Sequence, residues 1–274
     1  MDIEKLMGTP TTVQVSKTIS ENKKARTLVF ELPETNHQFK PGQFLMCWIP
    51  GIDEIPMSIS LWNPPEIGVT VLPIGEATSA FSVFSTGQRF GVRGPFGSGF
   101  SIECSQALII GGGIGMAPLR PLVYQLRENG INVTALMAAK TKTELLYVDE
   151  LERLVGDGFD VQVATDDGSA GFKGIATDAV REIFQNARYD SIYTCGPEPM
   201  MAKLHMLANE MGINIQASLE RFMKCGCGIC GTCALDPTGD LVCVEGPVFT
   251  GNRLNSIEEF GKYHRDSTGV KIQF

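Results

Sequence analysis

The spacing of four cysteines near the end of the chain limits its possible folds more than any other feature. Cys225, Cys230 and Cys233 are separated by four and then two residues, and Cys243 follows after a longer gap. This is the plant-type spacing for a [2Fe-2S] cluster. Glycines alternate with the sulfurs in this run, so the backbone can close tightly around a sulfide core. The sequence therefore predicts a [2Fe-2S] cluster bound by these four cysteines.

The same cysteines allow three weaker interpretations. A structural zinc site usually has two separated pairs of cysteines, and only Cys230 and Cys233 form such a pair. A [4Fe-4S] frame that starts at Cys227 would need a fourth cysteine where the chain has Pro237. A disulfide framework needs an oxidising compartment, which we do not expect for a long, core-rich chain that opens without a signal-peptide pattern.

Composition and charge exclude several classes of function. With 274 residues, 43% of them hydrophobic and 20% charged, the chain is long enough for two domains and an appendage. The net charge of −8 and the lack of a basic run argue against a nucleic acid partner. The longest uncharged stretch, residues 104–119, is shorter than the roughly 20 residues that span a membrane. We expect a cytoplasmic protein without a nucleic acid or membrane partner.

The hydrophobic pattern changes near residue 104. Before it, short alternating segments separated by turn signals favour an N-terminal antiparallel β-barrel. After it, apolar strands alternate with helices, which favours an α/β nucleotide-binding domain with a parallel sheet. The predicted barrel strands are residues 11–19, 26–32, 43–49, 68–74 and 89–92. The predicted domains are the barrel over 1–103, the α/β domain over 104–217 and a small C-terminal iron-sulfur domain over 218–274.

A glycine-rich turn follows the first apolar strand of the α/β domain. Gly112, Gly113, Ile114 and Gly115 precede a predicted helix, so their amides and the helix N-terminus can receive a pyrophosphate. Met116 stands where the G-x-G-x-x-G pattern has its third glycine, so the turn is not the full dinucleotide fingerprint. A turn that only lets the strand and helix pack is the alternative.

Two later strand ends are expected at the same edge of the sheet. Ligands of open α/β sheets bind outside the carboxyl ends of the strands, which makes Asp166, Cys195, Gly196 and Glu198 candidates for nucleotide binding. Each has a structural alternative. Asp166 could simply form a turn, Cys195 could be a small buried apolar residue, and Glu198 could belong to the first turn of a helix.

Two segments of the barrel half indicate a flavin site. One runs through Pro56, Met57, Ser58 and Ile59, and the other runs from Gly75 through Ala77 and Thr78 towards apolar residues. The second segment could place amides at a helix start against a flavin pyrophosphate. Without further support, each would more often be a strand or the start of a surface helix.

The order of barrel, nucleotide domain and cysteine-rich appendage resembles the ferredoxin reductase superfamily. More narrowly, it resembles the electron-transfer subunits of type B dihydroorotate dehydrogenases, in an archaeal-like variant. The resemblance spans nearly the whole chain, and its most specific parts are the cysteine run and the segment that begins at Cys243 and ends in Gly246-Pro247-Val248-Phe249.

This resemblance implies a subunit with FAD on the barrel, NAD on the α/β domain and a [2Fe-2S] cluster in the appendage. It implies a heterotetramer with an FMN-containing catalytic subunit of pyrimidine biosynthesis, and a relay that has no acid-base catalytic residue of its own. Pro56, Met57 and Ser58 would contact the isoalloxazine, and Leu72 and Pro73 the ribityl side. Gly75, Ala77 and Thr78 would contact the flavin pyrophosphate.

Two positions depart from the family pattern. Ile55 stands where relatives have a cation that pairs with the flavin phosphate, and Cys227 is a surplus thiol in the cluster loop. Related subunits of an NAD(P)H-linked sulfhydrogenase or a ferredoxin:NADP transhydrogenase share the same motifs, and a zinc-binding assembly module is the alternative of another class. Lys140 and Lys142 could attract a 2′-phosphate, but the sequence favours NAD.

Overall fold

The first half of the chain folds as a barrel in the computed structural model, which describes residues 8–32 and 39–274. Its strands are β1 Thr11–Ser20, β2 Arg26–Glu31, β3 Phe44–Ile49, β4 Asp53–Asn63, β5 Glu66–Val71 and β6 Arg89–Phe96. They pair antiparallel and close in the order β1-β2-β5-β4-β3-β6. Alternation of apolar and polar residues explains why this part of the chain forms β1. Val13 and Val15 face the core, while Thr12, Gln14 and Ser16 face solvent.

A short helix, α1 Glu76–Ser82, packs against the barrel between β5 and β6. Its Phe81 is fully buried and meets the ring of Phe90 edge-on, with 4.9 Å between the ring centroids. The C-terminal end of this helix is therefore anchored to the barrel core by an aromatic pair.

The second half is built on a seven-stranded sheet. Its strands are β7 Gln106–Gly112, β8 Asn132–Ala139, β9 Phe159–Thr165, β10 Phe172–Lys173, β11 Ser191–Cys195, β12 Asn214–Ser218 and β13 Val248–Thr250. They lie in the order β10-β9-β8-β7-β11-β12-β13, and only β13 is antiparallel to its neighbour. The intervening helices are α2 Met116–Glu128, α3 Val148–Glu152, α4 Ala176–Asn186 and α5 Glu198–Met211.

The observed architecture confirms the predicted antiparallel barrel and parallel α/β sheet. Each predicted barrel segment contributes a strand, β4 is an additional barrel strand that was not among them, and the alternation of strands and helices predicted after residue 104 is observed. The pattern did not single out β13, which comes from the C-terminal segment and joins the sheet by pairing Phe249 with Ala217.

A buried polar contact joins the barrel to the α/β half. Helix α2 packs against β4 of the barrel as well as against β7 and β8. Beside it, the Tyr147 hydroxyl lies 2.6 Å from Thr70 Oγ1, and the Arg120 guanidinium lies over the Tyr147 ring at 4.8 Å. Arg120 also forms a double hydrogen bond with Glu150. These contacts fix the barrel strands relative to the glycine turn that precedes α2.

The C-terminal segment packs into the angle between the barrel and the sheet. It contains helix α6 Gly251–Leu254 and a hairpin of β14 Tyr263–Arg265 and β15 Lys271–Gln273. Its apolar residues, including Leu235 and Val242, share one buried cluster with Phe44 and Phe96 of the barrel. In residues 8–32 and 39–274, no helix is long and apolar enough to cross a membrane.

Candidate functional site

A large cavity opens at the carboxyl ends of the parallel strands. Its volume is about 960 Å³, near the upper end of the range for small-molecule sites. The ends of β7, β8, β9 and β11 form one side, and the segment after β12 together with the β14–β15 hairpin forms the other. Ligands of open α/β sheets bind at this edge.

Six of the eight residues predicted to bind nucleotide line this cavity. They are Gly112, Gly113, Ile114, Asp166, Gly196 and Glu198. Lys140 lines it as well, whereas Lys142 does not. The glycine turn leads into α2, so the free amides of the first helical turn are available for an anion.

Gly115 and Cys195 do not line the cavity. A Cβ atom on Gly115 would lie 2.3 Å from the carbonyl oxygen of Cys195, so this glycine is needed because β11 passes very close. The Cys195 side chain is almost fully buried, and burial raises the pKa of its thiol. Both residues support the packing of the cavity wall.

The carboxylate of Glu198 is held by other residues of the chain. Its two oxygens accept hydrogen bonds from Arg221 at 2.5 and 3.1 Å, and one also accepts the N–H of Gly261 at 3.0 Å. Arg221 donates in addition to Glu259 at 2.7 Å. All three charged side chains are at least 95% buried. Glu198 therefore anchors the C-terminal segment to the start of α5.

Sequence reasoning missed one side of the cavity. This side is formed by Glu220, Arg221, Phe222, His264, Arg265, Asp266, Ser267 and Phe274. Within the described part of the chain, Nδ1 of His264 is the one buried side-chain nitrogen or oxygen that lacks a hydrogen-bond partner. The His264 ring lies 5.0 Å from the Phe274 ring. No local pattern marks these residues, because tertiary folding alone brings them to the cavity that the glycine turn also lines.

The predicted flavin residues lie along β4 and around the start of α1. Pro56, Met57 and Ser58 are partly exposed, whereas the side chain of Ile59 belongs to the barrel core, so only its backbone can face a ligand. Leu72 is partly buried and Pro73 is exposed. These residues follow the rim of the barrel from β4 towards α1.

The start of α1 has the form expected of an anion site. Gly75 is its N-cap residue, and Thr78 Oγ1 accepts the N–H groups of Ile74 and Gly75, both at 3.0 Å. This arrangement leaves the amides of Glu76 and Ala77, in the first helical turn, without an intrahelical acceptor.

The cysteine loop brings the four predicted ligands together in two pairs. Cys225 Sγ accepts the N–H groups of Ile229 and Cys230 at 3.3 and 3.4 Å and a hydrogen bond from the Cys230 thiol. The Cys243 thiol hydrogen-bonds to Cys233. The pairs are also close enough to affect each other's charge, since Cys230 acts electrostatically on Cys233 and Cys225 on Cys243.

Two of these thiols are prepared for metal binding. Burial opposes ionisation of Cys225, but the backbone N–H groups directed at its sulfur outweigh burial and lower its pKa to about 6. The hydrogen bond from Cys243 lowers the pKa of Cys233 to about 7. Thiolates are the form in which cysteine binds iron.

The paired arrangement fits a two-iron cluster. A [2Fe-2S] cluster divides four cysteines between two irons, and the four thiols lie in two hydrogen-bonded pairs. The donor set therefore fits the predicted cluster.

Cys227 is a fifth thiol of the loop, next to the first pair. Its thiol contacts Cys225 and Arg93, and burial together with the neighbouring Cys225 raises its pKa. The Arg93 guanidinium also donates to the carbonyl of Cys225 at 3.1 Å. The thiol of Cys227 is thus in contact with Arg93 of the barrel.

One edge of the cysteine loop is open to solvent. Cys230 is exposed, and the apolar side chains of Ile229 and Val244 beside it are 63% and 43% exposed. Cys233 and Cys243 are buried on the opposite side against the barrel cluster. The site thus has a buried side towards the barrel and an exposed apolar rim.

Comparison with known proteins agrees with this geometry. Residues 220–255 match the iron-sulfur cluster binding domain of dihydroorotate dehydrogenase B, and residues 109–205 match an oxidoreductase NAD-binding domain. A protein of Methanocaldococcus jannaschii named "Probable dihydroorotate dehydrogenase B (NAD(+)), electron transfer subunit" is 41% identical over 268 residues, which cover 98% of this chain and all of the relative. The chain belongs to this family.

Members of this family from other archaea show the same full-length similarity. The protein of Methanothermobacter thermautotrophicus is 41% identical and covers 97% of the chain and 98% of the relative. A solved structure of an NADH-dependent reduced ferredoxin-NADP oxidoreductase, studied for flavin-based electron bifurcation, superposes with a TM-score of 0.80 at 30% identity. That match covers 92% of this chain and 91% of the other.

More distant structures share the fold alone. The FAD/NAD binding domain of the Vibrio cholerae nitric oxide dioxygenase has a TM-score of 0.68 at 21% identity, over 76% of this chain and 97% of that domain. The barrel and sheet are thus common to this wider group, and the cysteine loop belongs to the narrower family.

Proposed function

We propose that this chain carries electrons between NAD and the FMN-containing catalytic subunit of a dihydroorotate dehydrogenase, through FAD and a [2Fe-2S] cluster. The main support is the cysteine loop, in which two hydrogen-bonded thiol pairs lie between the barrel and an exposed apolar rim. The full-length similarity to electron transfer subunits supports the same function.

The proposed division of the chain follows its chemistry. Residues 1–103 would hold FAD, residues 104–217 NAD, and residues 218–274 the cluster. When bound, the flavin supplies exchange between electron pairs and single electrons, the cluster carries single electrons, and NAD carries a hydride. The protein would position these groups relative to one another.

At the nucleotide cavity, the chain supplies backbone donors and a small number of side chains. The amides of Gly112, Gly113 and Ile114 would bind the pyrophosphate at the start of α2. Asp166, which follows β9 and lines the cavity, would accept hydrogen bonds from ribose hydroxyls. An acidic side chain there favours NAD over NADP, because it repels a 2′-phosphate.

At the barrel rim, backbone groups replace the missing cation. Ile55 cannot pair with a phosphate, so binding of the flavin pyrophosphate would depend on the amides at the start of α1. Pro56, Met57 and Ser58 would contact the isoalloxazine from β4, with Leu72 and Pro73 beside the ribityl chain.

In the cysteine loop, Cys225 and Cys230 would bind one iron, and Cys233 and Cys243 the other. This assignment rests on the two thiol pairs. The exposed rim at Ile229, Cys230 and Val244 is the proposed contact with the catalytic subunit, since an apolar rim excludes water at the point of electron exchange. A heterotetramer with that subunit, in the reducing cytoplasm, completes the proposal.

Anaerobic purification tests the proposal directly. We expect the protein to absorb as both flavin and [2Fe-2S] cluster, with two irons and two sulfides per chain. Colourless protein containing zinc would refute it. Electron paramagnetic resonance of Cys243→Ser and Cys227→Ser variants tests the ligand assignment, because only the first should lose the cluster.

Co-expression with candidate catalytic subunits tests the assembly. A dihydroorotate dehydrogenase subunit should co-purify, and the mass of the complex should be that of two copies of each chain. The 30% identity to the ferredoxin-NADP oxidoreductase chain favours a second candidate, a transhydrogenase subunit. Electron transfer to ferredoxin, without coupling to dihydroorotate, would support that candidate instead.

A further inference from the structure

Arg93 links its own strand, β6, to β4, which carries the proposed flavin residues and is called the flavin strand below. Its side chain is 11% exposed, and it forms a double hydrogen bond with the carboxylate of Glu54. Nε lies 2.8 Å from Oε1, and Nη2 lies 2.7 Å from Oε2. Glu54 belongs to β4 and stands two residues before Pro56. The orientation of β4 at the flavin segment is therefore fixed in part by Arg93.

The same guanidinium reaches the cysteine loop. Nη2 donates to the carbonyl of Cys225 at 3.1 Å, and the side chain hydrogen-bonds to the thiol of Cys227. The guanidinium also lies 5.5 Å from the centre of the Phe96 ring, which limits its access to water. The Arg93 guanidinium thus holds the flavin strand and the cysteine loop together.

Charges at this position affect the cluster more than surface charges would. The reduction potential of an iron-sulfur cluster depends on nearby charge, hydrogen bonds and exposure to solvent. Arg93 and Glu54 are 11% and 22% exposed, so solvent ions screen them only in part. A cation favours the reduced, more negative cluster, and the carboxylate opposes it.

We propose that Arg93 is a positioning residue that holds the cluster loop against the flavin strand, and that the Arg93–Glu54 pair sets the reduction potential of the cluster. This inference rests on the proposed function, because it requires a cluster in the cysteine loop. Lysine cannot replace the arginine fully, because a single ammonium group cannot make the two parallel bonds to Glu54 and also reach Cys225.

A double-mutant cycle tests the pair. The variants are Arg93→Met, Glu54→Gln and the combination of both, and the potential is measured by redox titration followed by electron paramagnetic resonance. Arg93→Met should shift the potential downwards, because the carboxylate remains without its cation. Glu54→Gln should shift it upwards, and the double variant should lie between the two single variants.

Arg93→Lys separates charge from geometry. It should keep the potential closer to the wild type than Arg93→Met does, while electron transfer from reduced flavin to the cluster slows. Arg89→Met is the matched control, since Arg89 lies on the same strand but is exposed. The reduction potential of the cluster in this variant should equal that in the wild type. All potentials are compared at equal iron content.

The inference is overturned if Arg93→Met and Glu54→Gln leave the potential unchanged or move it in the same direction. If Arg93→Met fails to retain the cluster, Glu54→Gln and Arg93→Lys still decide the question, because both keep a polar side chain at the altered position. A wild-type protein without iron is a different result, since it refutes the proposed function and not the role of Arg93 alone.

Discussion

Replacement of Arg221 by methionine should destabilise the protein strongly. Its guanidinium lies between the carboxylates of Glu198 and Glu259, and the three side chains are 3%, 5% and 1% exposed. Without the arginine, two buried carboxylates lose their cation. Each keeps one backbone donor, from Gly261 and Asp236 respectively, so the loss of stabilisation is large but incomplete.

The magnitude follows from this burial. Removing one partner of a buried ion pair costs about 3–5 kcal/mol. For a domain of roughly 150–250 residues, each kcal/mol lowers the melting temperature by about 2–4 °C, so a loss of ~4 kcal/mol corresponds to a decrease of ~8–16 °C. Thermal unfolding followed by circular dichroism, at equal flavin and iron content, measures it.

Two further variants separate charge from packing. Arg181 pairs with Asp178 on the surface, where the side chains are 63% and 52% exposed, so Arg181→Met should cost less than about 1 kcal/mol. Adding Glu198→Gln and Glu259→Gln to Arg221→Met removes the unpaired charges and should recover part of the lost stability. An Arg221→Met variant with the same melting temperature as the wild type would refute this account of the buried charges. So would a triple variant in which the added glutamines restore none of the lost stability.

Three other predictions concern single positions. Gly115→Ala should lose about 1–3 kcal/mol of stability in urea denaturation, because its Cβ would lie 2.3 Å from the backbone of Cys195; an unchanged midpoint would contradict this packing. Burial raises the pKa of Glu21, so its ionised carboxylate opposes folding, and Glu21→Gln should have a higher melting temperature than the wild type at neutral pH. The difference in melting temperature should vanish as the pH falls below the ordinary pKa of 4.5, because the carboxyl is then neutral in both the folded and the unfolded protein. A difference that stays constant with pH would argue against this effect. Phe274→Ala should weaken NAD binding about fivefold in calorimetry, whereas Ile272→Ala, on the same hairpin but outside the cavity, should not; equal affinities would exclude the hairpin from the site.

Local features made much of the fold predictable. The strand and helix periods on either side of residue 104 depend on near neighbours in the chain, so they gave the barrel and the parallel sheet. The glycine turn could be located for the same reason, because a strand, a turn and a helix follow one another directly. Cys225, Cys230 and Cys233 also lie within nine residues, so their spacing alone indicates a shared site.

Long-range contacts were not predictable in this way. The pairing of Arg93 with Glu54 and its reach to Cys225 span 39 and 132 residues, and nothing in the local pattern of either segment requires them. Likewise, His264 and Phe274 line the same cavity as the glycine turn because the C-terminal segment is held by the pairing of β13, by its buried cluster and by Arg221. Residue type and spacing record the chemistry that a segment can perform. Which segments meet is decided by packing of the whole chain, since burial and pairing energies depend on the final three-dimensional neighbours.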